Sequence, residues 1–101
     1  MNEKNDKSCQ QYLTDFFKKF PNPTLQRNAN AMLRSLLDFK FPMPGKSGGW
    51  AGGIVYALAN QYKRACGIPG LLNSDSEAFF DVTMSTIYKR AWKIREILLA
   101  S

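Results

Sequence analysis

The sequence predicts an all-α fold, and three observations support that class. Apolar residues recur at helical spacings of three and four along most of the chain. One further stretch, residues 50–59, is apolar on nearly every side, as expected for a buried central helix. The 101 residues, 45% of them hydrophobic, are enough for one core. We therefore expect a flexible polar tail at residues 1–7 and a single helical domain at residues 8–101.

Proline residues separate the first two predicted helices. The first runs over about residues 8–20 and ends at Pro21 and Pro23. The second is predicted over about residues 24–40, with Thr24 as its N-cap, and ends at a proline-rich segment. The predicted buried stripes are Cys9, Tyr12, Leu13, Phe16, Phe17 and Phe20 in the first helix, and Leu25, Ala29, Met32, Leu33, Leu36 and Leu37 in the second.

The third predicted helix, about residues 49–66, begins with the apolar stretch. Gly52 and Gly53 each cost about 1 kcal/mol relative to alanine inside a helix. That cost is explained if neighbouring helices approach closely at these two positions. We therefore expect residues 51–58 to be the most buried part of the chain, and the polar second half to reach the surface.

A serine and a glutamate three residues apart predict the short fourth helix. In this capping box Ser74 is the N-cap and Glu77 reaches back to it. A tight turn at residues 81–82 follows, and Thr83 or Ser85 caps a fifth helix that extends to about residue 100. The buried stripe of this last helix is predicted to be Ile87, Ala91, Ile94 and Leu98.

The short helix, turn and longer helix over about residues 74–99 have the layout of a helix-turn-helix. Val82 and Ile87 would join the two helices. Asp81 stands where a turn glycine is common, but aspartate tolerates the left-handed conformation. Glu77 stands where a small residue is usual, which predicts a looser helix pair. The alternative is a helical hairpin that only packs.

Polar side chains at the start of the fifth helix are the predicted contacts to DNA phosphates and base edges. The chain carries a net charge of +6 and has a pI near 9.6, which suggests a polyanionic partner such as nucleic acid. The alternative is ordinary solubility charge on a helical surface. The candidate DNA-binding residues are Lys46, Thr83, Met84, Ser85, Tyr88, Lys89, Arg90 and Lys93.

Two aromatic residues four positions apart, Tyr88 and Trp92, share one face of the last helix. One interpretation is packing against the first or fourth helix. The other is an aromatic platform for a nucleic-acid base or for a partner protein.

The chain lacks the residues that metal sites, phosphate loops and acid–base catalysts need. The chain has no histidine, and Cys9 and Cys66 are isolated, so we expect no metal site and no cofactor. Gly45-Lys46-Ser47 is not a phosphate loop, because Lys40 occupies its first glycine position and no strand precedes it. No pair of acidic side chains is placed for acid–base catalysis, so an enzyme is not expected.

No apolar run approaches the roughly 18 residues of a membrane span, and the N-terminus lacks a signal core. The expected location is the cytoplasm, without a membrane partner.

The Gly-Lys-Ser segment at 45–47, followed by WAGGIVYALA at 50–59, resembles the start of the central helix in a cyclin-like repeat of transcription factor IIB. Residues 80–90 resemble the helix-turn-helix of that repeat. The C-terminal segment is also similar to a family of uncharacterised prokaryotic helix-turn-helix domains, through Val82, Thr83, Ser85, Thr86, Ile87, Lys93, Ile94, Arg95 and Leu98.

The resemblance covers residues 45–98, about half of the chain, and it implies a five-helix cyclin-like domain. It also implies DNA binding or a transcription-associated role, with double-stranded DNA as the partner. The alternative is a cyclin-like module that binds another protein without direct DNA contact.

Overall fold

Five α-helices make up the secondary structure of the part of the chain that the computed structural model describes, residues 8–59 and 71–100, with side chains to residue 97. The predicted all-α class is confirmed. The predicted tail, the third helix beyond residue 59 and the burial of Leu98 lie outside the described residues. The helices are α1 (Cys9–Lys19), α2 (Pro23–Asp38), α3 (Ser47–Ala59), α4 (Asn73–Phe80) and α5 (Met84–Ala100).

Side-chain caps determine where α1 and α2 begin. The Ser8 hydroxyl accepts a hydrogen bond from the backbone of Gln11 at 3.1 Å. The Asn22 side chain accepts from the Leu25 backbone N–H at 3.1 Å, and Pro23 occupies the first helical position. The prediction that Thr24 caps α2 is therefore wrong by two residues, because the fixed φ of proline suits a first helical turn.

The central helix α3 is buried from Gly48 to Ala57. This confirms the predicted burial of residues 51–57, whereas Leu58, the last residue of the predicted stretch, is only partly buried. Its glycines let neighbouring segments approach the backbone closely. A Cβ atom added at Gly48 would overlap the carbonyl oxygen of Phe80, and one added at Gly53 would lie 2.6 Å from Cβ of Arg90. The helix therefore accepts the α4–α5 segment along a glycine-lined surface.

Aromatic side chains connect α1 to the same segment. The ring of Phe16 stacks on Phe80 with centroids 5.4 Å apart, and Phe79 packs edge-on against Phe16 at 5.7 Å. Most predicted stripe residues are buried or partly buried. Leu37 is the exception at 56% exposed, so its predicted burial is wrong.

The capping arrangement of α4 differs from the predicted one. Its N-cap is Leu72, whose backbone N–H donates to Oδ2 of Asp75 at 3.2 Å. Ser74 is not the N-cap, and Glu77 does not reach back to it. Oε2 of Glu77 instead accepts a hydrogen bond from the Met84 backbone N–H at 2.7 Å, across the turn at the start of α5. Glu77 therefore links the two helices.

Replacing Glu77 with alanine should lower the free energy of unfolding by about 1 kcal/mol, similar to the usual effect of removing a side-chain acceptor from an N–H in the first turn of a helix. The E77Q variant keeps an acceptor oxygen and should be less affected, although it loses the favourable charge near the helix N-terminus. Urea denaturation of the two variants provides the measurement. Equal stability of E77A and the wild-type chain would contradict this assignment.

Candidate functional site

Six side chains form one exposed stripe along α5, which we call the α5 face: Ser85, Tyr88, Lys89, Trp92, Lys93 and Glu96. Their spacing of three and four places them on one side of the helix. The opposite side is buried and faces the core through Met84, Ile87, Ala91 and Ile94. This division leaves the α5 face open to a partner.

Met84 does not belong to the α5 face, although it was predicted to contact DNA. Its side chain is only 9% exposed and packs in the core. It lies three residues before Ile87 and seven before Ala91, so the helical repeat places it on the buried stripe. The prediction that Met84 projects towards a ligand is therefore wrong.

The turn before α5 holds the helix start in place. Asp81 adopts the left-handed conformation, with φ of 57° and ψ of 41°, as the sequence suggested for this position. The hydroxyl of Thr83 accepts a hydrogen bond from the Thr86 backbone N–H at 3.3 Å, so Thr83 rather than Ser85 caps α5. Both Thr83 and Ser85 are exposed.

Lys46 lies beside this turn although it is far away in sequence. Its ammonium donates to the backbone carbonyl of Asp81 at 3.4 Å and is 3.7 Å from Oδ2 of the same residue. Both side chains are largely exposed, so the ion pair contributes at most about 1 kcal/mol. Lys46 thus stands near the start of α5, but part of its charge is opposed by a carboxylate.

Arg90 is directed towards α3 and away from the α5 face. Its Nη2 donates to the carbonyl oxygen of Pro44 at 3.2 Å, and its guanidinium lies 4.9 Å from the ring centroid of Trp50. The indole N–H of Trp50 donates to the same carbonyl at 2.9 Å. Nε of Arg90 is buried without a hydrogen-bond partner. The predicted phosphate contact is thus a packing residue between α5 and the loop before α3.

The R90A variant should lose about 1.5–3 kcal/mol of stability, the range for hydrogen bonds to charged groups. The matched control is R90K, which keeps the charge and most of the stem but lacks the planar guanidinium, and it should also be destabilised. Urea denaturation of both variants tests this role. Wild-type stability in R90A would indicate that the contacts with Pro44 and Trp50 contribute nothing.

Tyr88 is held by contacts to two helices. Its ring packs edge-on against Tyr56 of α3, with centroids 6.1 Å apart, and its hydroxyl accepts a hydrogen bond from Asn73 at 3.4 Å. Tyr56 in turn shares a 2.7 Å hydrogen bond with the buried Ser76. Burial raises the pKa of Tyr56, the bond to Ser76 opposes that rise, and Tyr88 adds to it. These contacts fix one edge of Tyr88 and leave 39% of the residue exposed.

Trp92 has a more open environment than Tyr88. It is 64% exposed, so packing against the first or fourth helix does not account for it. Leu72, next to Asn73, is also 69% exposed and was not among the predicted site residues. Helical spacing gave no signal for it, because Leu72 precedes the first turn of α4.

The cysteine and acidic side chains offer little further chemistry. Burial raises the pKa of the Cys9 thiol to about 12, so this residue behaves as a small apolar side chain. Cys66 lies outside the described residues. Within residues 8–59 and 71–100, no group of three or more histidine, cysteine, aspartate or glutamate side chains is placed to hold a metal ion. None of the helices described there is both long and apolar enough to cross a bilayer.

Comparison with known proteins identified no relative of this chain. No family model matches the chain, and neither a curated protein nor a solved structure is significantly similar to it. The resemblance to a cyclin-like repeat and to a helix-turn-helix therefore stays a prediction.

Proposed function

We propose that the chain is a DNA-binding domain in which α4, the turn and α5 act as a helix-turn-helix of the cyclin-like kind. The observation that carries the proposal is the α5 face. Lys89 and Lys93 are exposed there, one turn apart, beside the hydroxyl of Ser85. The net charge of +6 supports a polyanionic partner.

Side chains, rather than the helix N-terminus, supply the phosphate contacts in this proposal. A free N-terminus binds anions through its backbone N–H groups. Here the Met84 N–H is bonded to Glu77 and the Thr86 N–H to Thr83. The carboxylates of Glu77 and Asp81 at this end also repel phosphate. Phosphate contacts are therefore assigned to the two lysines further along α5.

The same electrostatic argument limits the extent of the contact. Glu96 continues the α5 face one turn beyond Trp92 and brings a negative charge. A phosphate placed there would be repelled, so we place the contact on the first three turns of α5. Two lysines in that area imply weak binding, with dissociation constants of roughly 10⁻⁴–10⁻⁶ M.

Binding of a mixed-sequence duplex, followed by fluorescence anisotropy across salt concentrations, tests the proposal. Between about 50 and 200 mM salt, the logarithm of the affinity should fall linearly with the logarithm of the salt concentration. Two phosphate contacts correspond to a slope of about −1.8. Absence of binding at the lowest salt concentration would contradict the proposal.

A second candidate function is protein binding without DNA contact. The two aromatic residues exposed on the α5 face, Tyr88 and Trp92, favour it, because neighbouring exposed apolar side chains can mark an interaction surface. This alternative predicts that replacing Lys89 and Lys93 together with alanine leaves capture of a protein partner intact, while the salt titration shows no DNA binding.

A further inference from the structure

We propose that the α5 face binds DNA with unpaired bases, which stack on Tyr88 and Trp92 while Lys89 and Lys93 contact the strand's phosphates. The inference rests on the proposed DNA-binding function and specifies the form of DNA that this site takes.

The two aromatic residues are exposed on the same side of α5. Trp92 is 64% exposed and Tyr88 39%, four residues apart and about 6 Å apart along the helix axis. Each is followed in sequence by an exposed lysine. Alternating aromatic rings and cations are the elements of single-strand binding surfaces, where bases stack on the rings and phosphates meet the charges.

The fixed position of Tyr88 favours stacking. Tyr56 packs against its ring, and Asn73 donates a hydrogen bond to its hydroxyl. The ring therefore loses little rotational freedom when a base binds, which lowers the entropic cost of association. Trp92 offers the larger ring surface of the two.

The α5 face can contact the phosphates of a duplex, but it offers few side chains that could read base edges in the grooves. In a duplex the faces of the bases are covered by their neighbours, and only the base edges are accessible in the grooves. Met84 is buried and the Thr83 hydroxyl is bonded to Thr86, which leaves Ser85 and Lys89 as the polar groups nearest the start of α5 that could reach those edges. The exposed indole and phenol rings match the flat faces of bases that have left the stack.

The positive charges on the α5 face favour a nucleic acid, rather than an apolar protein surface, as its ligand. Lys89 and Lys93 flank the rings, and a dry apolar interface would have to desolvate both ammonium groups. A polyanionic strand neutralises them and releases its own counterions. The aromatic rings and the two charges are then satisfied by the same ligand.

The test compares a short labelled oligothymidylate with a mixed-sequence duplex of equal length, using anisotropy at fixed low salt. We expect the single strand to bind more tightly. W92L should weaken single-strand binding by about 5- to 150-fold, the effect of losing one stacked base, and should change duplex binding much less. W92F keeps a ring and should retain most of the affinity. The matched control is F39L on the exposed segment after α2, which should leave both affinities unchanged.

The outcomes separate this inference from the function on which it rests. Failure of both DNA forms to bind would overturn both proposals. Duplex binding equal to or tighter than single-strand binding, with W92L as tight as the wild type, would overturn the inference alone. A Y88L variant gives an independent measurement, and circular dichroism verifies that each variant is folded. A W92L loss that is equal on both DNA forms also contradicts stacking on unpaired bases.

Discussion

Replacing Gly48 with alanine is expected to destabilise the protein by about 3 kcal/mol, the upper part of the usual range for overpacking a core. The added methyl group would overlap the backbone carbonyl oxygen of Phe80. The Phe80 backbone can move away from α3 only if the Phe80 side chain, which is buried in contact with Phe16, moves with it. The last residue of α4 would have to move away from α3.

Gly52→Ala is the matched control for Gly48→Ala. Its added Cβ would lie 3.1 Å from side-chain atoms of Ile87 and Phe80, so side chains rather than backbone would have to give way, and only by a few tenths of an ångström. The gain in helix propensity, about 1 kcal/mol, works against that small strain. We expect a net change of about 1 kcal/mol or less.

Urea denaturation and thermal melting provide the measurements for both glycine variants. For a domain of this size, a loss of 3 kcal/mol lowers Tm by more than about 10 °C. Equal stability of the two variants would show that α4 does not approach the α3 backbone at Gly48 as closely as described.

The second large effect concerns DNA binding by the α5 face. Replacing both Lys89 and Lys93 with glutamine should reduce the steepness of the salt dependence for duplex DNA by about 0.9 for each lost phosphate contact, so by about 1.8 in all. The variant should then bind DNA with almost no dependence on salt and much more weakly at low salt. Stability should be unaffected, because both side chains are exposed.

The control for the lysine variant removes two charges elsewhere. Lys18 and Lys19 are exposed in the last turn of α1, and K18Q/K19Q lowers the net charge by the same amount. If the α5 face is the contact site, this control should keep most of the wild-type salt slope. Equal losses in the two double variants would mean that only net charge matters, and the α5 face would lose its special role.

Helix positions were predictable from the sequence because they depend on local spacing. The stripe of Leu13, Phe16 and Phe17 in α1 has the period of one helix face, and it is buried as expected. The burial of α3 followed equally from its composition, since a helix without a polar side has no surface to present to water. The positive φ of Asp81 agreed with the known tolerance of aspartate.

The candidate site was predictable only in part. Ser85, Lys89 and Lys93 are exposed on α5 as predicted. The predicted exposure of Met84 is wrong, because closeness to the turn does not determine which side of a helix a residue occupies, whereas its angle around the axis does. The helical repeat alone would have corrected this error.

Other features depended on contacts between distant segments. Arg90 has the same charge as Lys89, but its side chain packs on the glycine-lined surface of α3 and its guanidinium lies against the ring of Trp50. Glu77 had a local partner in the predicted capping box, yet it bonds to Met84 across the turn. Sequence periodicity thus determined which residues lie on each helix face, while the packing of α3 against α5 decided which charged side chains remain free. The reason is physical: periodicity is a property of one helix, whereas a side chain's partner depends on which second helix comes within reach.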